Sequence, residues 1–532
     1  MFFGDLGAGR RSFQYEREVC ITHARYSCRK IGTIQEPICA VMMGAIIMTV
    51  ATLNMIRIDR RRREPLQLQL YEQVRQAIIS RELIAGVRLP STRDLVEQLG
   101  LSGNTIVNAF DRLVAEGYLD SRMGSGIYVS HLPAVNRSLI TRASSSDLAL
   151  NERPRIALRV AALRKVRVNP EYPTTKVRPF RPCQPAIDQF PLRSWNRARS
   201  YALRLQSKEF MHEGDVIGLS RLRAALATYL RDARGVKCEA DQIIITVGAQ
   251  EALSLVAESL VERGDSVCIE DPGYLGARAA FIRAEAKLIP IPIDAEGLTI
   301  PNLRQTPRLI YTTPSRQFPL GVTMTLSRRL ALLEFARYSR AWIIEDDYDS
   351  EFRYTGRPVP SLQGLDKSSR VIYVGSFSKV LFGSLRLGYI VAPHALVETI
   401  CKLKEVEYGS SPAIEQATAA VFIEEGYFST HVRRMRKLYR ERRDNFLQTA
   451  NKYLGGLLNF PPIDAGMDAV GWLARGTDDA AFSKRLADAG IDAPPLSAYS
   501  LRTFAPGLIF GFTGFSTGQS RSAMQNIIGA CS

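Results

Sequence analysis

The stretch Gly375-Ser376-Phe377-Ser378-Lys379, continued by Ser384-Leu385-Arg386-Leu387-Gly388-Tyr389, sets a lysine in a turn of small residues. Hydroxyls stand one and three positions before the lysine, and an arginine stands seven after it. Upstream, Trp342-Ile343-Ile344 reads as an apolar strand that runs into Glu345-Asp346-Asp347-Tyr348-Asp349. Open α/β sheets build their sites at the C-terminal ends of such strands. Either segment alone is compatible with an ordinary surface turn, but the two share a chemistry. A lysine amine can capture an aldehyde, and hydroxyls with a guanidinium can hold a dianionic phosphate. A carboxylate facing a pyridine nitrogen keeps it protonated, which makes the ring an electron sink. Together these are the requirements of pyridoxal 5′-phosphate (PLP).

Further motifs follow one another in order along the chain. They are Phe180-Arg181-Pro182-Cys183-Gln184-Pro185 with Phe190-Pro191 and Trp195, then Gly218-Leu219 with Leu222-Arg223. Next come Gly248-Ala249-Gln250-Glu251-Ala252-Leu253, Glu270-Asp271-Pro272-Gly273-Tyr274 and Thr313-Pro314-Ser315-Arg316-Gln317-Phe318-Pro319. On these residues the chain from about Arg178 onward resembles a fold-type I PLP enzyme of the class I/II aminotransferase family. More narrowly, the whole chain resembles the MocR/GabR group of GntR-type transcription regulators.

The resemblance implies Lys379 as the Schiff-base lysine and Asp346 as the pyridinium partner, with Asp347 the neighbouring alternative. Tyr348 would bond the ring hydroxyl, and Tyr274 would stack on the ring. Gly248, Ala249 and Gln250 open a helix after the strand-like run 243–247, where free N–H groups and the positive helix end favour phosphate. Ser376, Ser378 and Arg386 would complete the phosphate cup. The expected fold is α/β, with a parallel-rich sheet covered on both faces and a smaller C-terminal α+β subdomain. Fold-type I proteins assemble their site at a two-fold dimer interface, so a homodimer is expected.

Residues 65–130 carry a second organisation. Leu70, Val74, Ala77 and Ile78 fall at helical spacing, and Gly86 and Pro90 break the pattern. Ser91 caps a helix ending at Gly100, and Ser102 caps the next, whose apolar stripe is Ile106, Ala109, Phe110 and Leu113. Gly117-Tyr118-Leu119 and Gly124-Ser125-Gly126-Ile127-Tyr128-Val129 read as a β-hairpin. Helix, turn, helix and hairpin make a winged helix-turn-helix, whose second compact helix enters the DNA major groove. Leu89-Pro90-Ser91-Thr92-Arg93, Asn104-Thr105 and Ala115-Glu116-Gly117-Tyr118-Leu119 resemble the GntR DNA-binding domain. That likeness implies DNA contacts by Ser91 and Arg93, the latter on phosphate, with Asn104, Thr105 and Asn108 facing the groove. Gly103 departs from the family, which usually has arginine there.

Composition bounds the rest. With 532 residues and 46% apolar content the chain is long enough for several domains with substantial cores. Eight scattered cysteines without a Cys-x-x-Cys pair, and five scattered histidines, fit reduced cytoplasmic thiols and offer no metal constellation. The net charge of +17 is unevenly spread. Residues 1–62 hold 10 basic and 5 acidic side chains, 63–130 hold 7 and 8, and 131–178 hold 10 and 3. The surplus therefore lies in a tail and a linker, not in the DNA reader. A basic linker can neutralise DNA phosphates or serve as a solvated connector.

The expected layout is an N-terminal extension over 1–56, a DNA reader over 57–130, a linker over 131–178 with one helix near 156–166, and the aminotransferase-like domain over 179–532. Residues 38–56 are uncharged over nineteen positions, close to a membrane span, yet Gly44, two threonines and Asn54 interrupt the run. Related regulators begin near the equivalent of Met55, which favours an overcalled start or a disordered extension, and no membrane association is expected. The reading of function is a PLP-binding transcription regulator that binds double-stranded DNA and senses PLP, an amine or an amino acid. The alternative is an aminotransferase with an accessory DNA domain. Aminotransferases place a guanidinium for the substrate carboxylate near the C-terminus, where this chain reads Pro506-Gly507-Leu508-Ile509-Phe510-Gly511-Phe512 and Arg502 is the nearest candidate.

Overall fold

In the computed structural model, residues 56–123, 126–131, 157–164, 166, 176–206, 212–300, 306–356 and 359–531 are described. The N-terminal extension and most of the linker, with Ser144-Ser145-Ser146, Pro154, Pro170 and Pro173, therefore lie outside the described residues, as do Gly124 and Ser125 of the hairpin turn. The chain divides into two units between Glu152 and Arg153.

The first unit comprises α1 (Leu66–Ile79), α2 (Thr92–Leu99), α3 (Gly103–Ala115), β1 (Leu119–Arg122) and β2 (Gly126–Val129). Ser91 accepts from the Asp94 N–H while the Asp94 carboxylate accepts from the Ser91 N–H, so the start of α2 is satisfied in both directions. Ser102 accepts from the Thr105 N–H at 3.2 Å and starts α3. The expected stripe of α3 is buried in full, and it meets Leu70, Val74 and Ile78 of α1 in one core. Strands β1 and β2 pair antiparallel with Leu119 opposite Val129, which closes the hairpin over that core. A winged helix-turn-helix with its own apolar core results.

The second unit begins with α4 (Leu158–Leu163), at the helix expected in the linker, followed by α5 (Leu192–Gln206) and α6 (Ser220–Arg234). An alternating series follows: β3 (Ile243–Thr246), α7 (Ala249–Leu260), β4 (Ser266–Asp271), α8 (Leu275–Arg283), β5 (Lys287–Asp294), β6 (Gly297–Leu298) and β7 (Leu309–Thr312). Then come α9 (Leu326–Ser339), β8 (Trp342–Asp347), α10 (Leu362–Leu365), β9 (Val371–Ser376) and β10 (Gly388–Val391). These strands form one sheet in the order β3-β10-β9-β8-β7-β4-β5-β6. Pairing is parallel from β9 through β8, β7 and β4 to β5, while β10 runs antiparallel to both its neighbours.

Strand Ile243–Thr246 is buried at every position, as a strand covered on both faces must be. One cover is α7, α8 and α11 (His394–Glu407), which pack on Ile244, Ile344 and Ile390. The other cover combines α9, under Ile310 and Ile343, with α5, α6, α12 (Ala413–Glu424) and α13 (Tyr427–Leu454), under Ile243, Ile245 and Tyr389. The end of the chain supplies the smaller subdomain: β11 (Asp468–Trp472), α14 (Asp479–Asp488), β12 (Gly507–Gly511) and α15 (Thr517–Cys531), with β11 and β12 antiparallel. This is the expected fold-type I architecture. Among the described residues no helix is long and apolar enough to cross a membrane, and no cluster of side chains could hold a metal.

Candidate functional site

Strands β3, β9, β8, β7 and β4 point the same way, and the residues at or after their C-terminal ends converge on one cavity of about 340 Å³. Gly248 follows β3, Tyr274 follows β4, Thr313 follows β7, Asp346 is the last but one residue of β8 and Ser376 ends β9. The cavity is also lined by Ala249, Gln250, Tyr348, Ser378, Lys379 and Arg386. All ten PLP-site residues expected from the sequence are therefore brought together.

The two carboxylates left open by the sequence separate by strand alternation, which sends neighbours to opposite faces. Asp346 faces the cavity, and Asp347 faces away. There the Asp347 carboxylate is held by Arg234 at 2.9 Å, the Tyr373 hydroxyl at 2.6 Å and the Ser350 hydroxyl at 2.8 Å. Glu345, also turned inward, accepts from the Leu362 and Gln363 N–H groups at 2.9 Å and caps α10. Among the described residues the Asp346 carboxylate accepts only from the Tyr311 hydroxyl, at 2.8 Å. Burial pushes its carboxyl up to about 7, with the Tyr311 hydrogen bond opposing. A buried carboxylate with one neutral partner is a natural seat for a cationic N–H.

At the other end of the cavity, Gly248 adopts φ +103°, a conformation that side chains rarely take, and starts α7 without a side-chain cap. A Cβ on it would stand 3.9 Å from the Arg386 guanidinium. Arg386 makes no hydrogen bond or salt bridge among the described residues. Ser376 and Ser378 are joined at 3.1 Å beside it. An uncommitted guanidinium, two hydroxyls and a bare helix N-terminus fit a phosphate dianion. Lys379 lies between the two ends, its Nζ donating to the Cys183 carbonyl at 3.3 Å. The donor set fits PLP at every point where the cofactor carries charge.

Tyr348 lines the cavity, its hydroxyl accepting from Arg316 Nη1 at 3.1 Å. Arg316 does not reach the cavity as a free cation. It also donates to the Ala465 and Asp468 carbonyls at 3.0 and 2.6 Å and pairs with Asp349 at 3.4 Å. Burial works against its charge, but Tyr348 and Asp349 outweigh it and raise the guanidinium pKa. Arg502 is exposed on a loop and does not line the cavity; its backbone N–H, with that of Leu501, binds the Asp271 carboxylate.

Several lining residues were not singled out in the sequence. Tyr311 interrupts the apolar strand Leu309–Thr312 just before the Thr313-Pro314 motif, and a buried hydroxyl there requires a partner. Cys183, Gln184 and Phe318 lie inside motifs that were noted without an assigned role. Tyr499 carries no sequence signal, because only the return of the small subdomain brings it to the cavity.

In the first unit, Arg93, Asn104 and Asn108 are exposed. The Ser91 hydroxyl is committed to Asp94 at 2.7 Å, and Thr105 shares a 2.7 Å hydrogen bond with Ser102, so both serve the helix starts. Val107, 41% exposed, stands between the asparagines on the same side of α3 and was not anticipated.

Comparison with known proteins matches residues 184–507 to the family "Aminotransferase class I and II" and residues 66–129 to "Bacterial regulatory proteins, gntR family". The chain is 39% identical over 478 residues to the probable rhizopine catabolism regulatory protein MocR of Rhizobium meliloti, covering 89% of this chain and 95% of that one. It is 32% identical to the pyridoxine biosynthesis transcriptional regulator PdxR of Corynebacterium glutamicum, covering 84% and 91%. Among solved structures, kynurenine aminotransferase of Pyrococcus horikoshii aligns with a TM-score of 0.63 at 26% identity, over 71% of this chain and 94% of its own.

Proposed function

The chain belongs to the GntR-type regulators that carry a class I and II aminotransferase domain, and on that premise we propose a transcription regulator that senses an amino compound through PLP. Its winged helix binds DNA, and its second unit holds PLP. The observation that carries the reading is the joining of an intact PLP cavity to a DNA reader whose recognition helix keeps exposed polar side chains.

Bound PLP supplies an aldehyde that captures amines and a ring that accepts electron density. Lys379 holds the cofactor through Nζ, and Asp346 holds the proton on the ring nitrogen. Tyr348 bonds the ring hydroxyl, Tyr274 covers the ring face, and Ser376, Ser378, Arg386 and the start of α7 hold the phosphate. Arg93 binds DNA phosphate, while Asn104 and Asn108 read base edges, with Thr105 beside them. The working layout is a reader over 57–130, a linker over 131–178 and the PLP domain over 179–532, acting as a cytoplasmic homodimer on paired half-sites. An effector acts only through its different affinity for two arrangements of these parts.

The retained lysine and ring carboxylate also support slow amino transfer as a second reading. The position of Arg502 outside the cavity weighs against repeated turnover on amino acids. The deciding experiment pairs two measurements on the full chain. Borohydride reduction of the PLP-loaded protein should fix the label on Lys379, and Lys379→Ala should abolish it. Salt-dependent DNA binding should shift about 5–150-fold with an effector amine. Steady turnover of an amino acid and keto acid pair, with no effect of either on DNA binding, would establish the enzyme instead.

A further inference from the structure

The end of the cavity away from Arg386 is walled by Leu275, Phe318 and Tyr499, and these pack on Val470, Leu496 and Ile509 in one apolar cluster. Ile509 is fully buried in β12, the strand that returns through the segment where the resemblance would place a carboxylate-binding arginine. Alternation sends its neighbours Leu508 and Phe510 into the separate core under α13, so Ile509 is the β12 side chain on the cavity side.

Three groups nearby could otherwise meet an anion, and each is engaged. The Cys183 N–H donates to Asp468 Oδ1 at 2.7 Å, and its thiol donates to Asp468 Oδ2 at 3.3 Å. The carboxylate behind that wall is itself 1% exposed and adds a like charge. Arg316 is committed to two carbonyls, Tyr348 and Asp349. The cationic side chains lining the cavity, among the described residues, are Lys379 and Arg386, and cofactor occupies both. A ligand carboxylate placed here would lose its water without gaining a cationic partner.

Resting on the PLP reading above, we infer that the effector is a primary amine bearing no carboxylate beside the amine, selected by the apolar wall of Leu275, Phe318 and Tyr499 that Ile509 backs, and by Asp468 behind Cys183. With PLP bound, the incoming amine nitrogen would bond to the cofactor's aldehyde carbon as that carbon's bond to Lys379 Nζ breaks, and Lys379 would leave as a free amine carrying the two hydrogens that the incoming nitrogen gives up. The rest of the ligand lies against Phe318 and Tyr499.

Matched pairs that differ only by the carboxylate test this: phenethylamine against L-phenylalanine, and ethanolamine against L-serine. Each is titrated into PLP-loaded full-length protein, following the visible band of the cofactor and, in parallel, DNA affinity. Each amine should half-saturate the spectral change at a concentration at least tenfold below that of its amino acid. Amino acids that bind as well as the amines, or a band that no amine moves, overturn the inference. Ile509→Arg should reverse the order for at least one pair. An unchanged order in a variant that still takes up PLP counts against the wall as selector, and if the variant does not fold the wild-type pairs decide. Borohydride fixing at Lys379 and salt-dependent DNA binding, measured on the same preparation, report failure of the underlying function separately.

Discussion

Asp346 shows how a single residue acquires a role from its surroundings. Two adjacent aspartates have the same chemistry, yet Asp347 is held through Oδ2 by Arg234, Tyr373 and Ser350, while among the described residues Asp346 keeps one neutral donor. With a folded pKa raised to about 7 from 3.8, Asp346 contributes most to stability below about pH 4, and that contribution is lost as pH rises through 7. The cofactor-free protein should therefore show a smaller loss of stability between pH 5 and pH 8 when Asp346 is replaced by Asn. PLP should raise the melting temperature of the wild type more at pH 8 than at pH 5. Melting curves across that range check both, and parallel pH profiles for wild type and Asp346→Asn would refute the assignment. Gly466 supplies a second test. It sits at φ +86°, and a Cβ there would fall 1.9 Å from Arg316 Nε. Gly466→Ala should cost about 2–4 kcal/mol and, by displacing Arg316 from Tyr348, weaken PLP binding as well. Denaturant unfolding and a PLP titration read the two effects.

At the scale of an element, α3 is the clearest case of a sequence pattern with two faces. Ile106, Ala109, Phe110 and Leu113 are buried, which leaves Asn104, Val107 and Asn108 exposed on the opposite side. An apolar side chain between two asparagines suits a groove that offers both base edges and thymine methyl groups. Gly103 opens this helix, and a Cβ there meets nothing within 4 Å. Gly103→Arg therefore has open space for its Cβ, and it adds a guanidinium at the end of α3 proposed to face the groove. DNA affinity should rise about tenfold, the effect of one charged contact of roughly 1–2 kcal/mol. Unchanged affinity in a gel-shift titration would mean that this end of α3 does not face DNA.

For the whole molecule, the reader has a core of its own, from Leu70 to Val129, so the fragment 57–131 should fold alone. Its charge balance of 7 basic against 8 acidic side chains over 63–130 leaves it little general attraction for DNA. The fragment should bind weakly, and the full chain, with its basic linker and with the readers paired in the proposed homodimer, at least 100-fold more tightly at low salt. Arg93→Ala should weaken binding on all sequences alike, as loss of a phosphate contact does. Fluorescence anisotropy over a salt series measures both. A full chain that binds no better than its fragment would remove the case for linked half-sites.

The sequence by itself determined the two folds, because their signals are local. Helical stripes and capping serines specify the winged helix, and apolar runs ending in carboxylates or small residues specify the strand ends of the large sheet. The lysine and the residues expected around the phosphate and the ring were legible for a similar reason: each lies close to one end of a strand, Arg386 just before β10 starts and the others at or after a strand's C-terminal end. Tertiary structure alone decided what depends on meetings across long separations. It placed Arg234 and Tyr373 on Asp347 and Tyr311 on Asp346, locked Arg316 onto a strand about 150 residues downstream, and brought Tyr499 to the wall of the cavity with Ile509 in the apolar cluster behind it. No local pattern encodes those contacts, because their partners come from distant elements, the first from the large sheet and its covering helix and the others from the small subdomain.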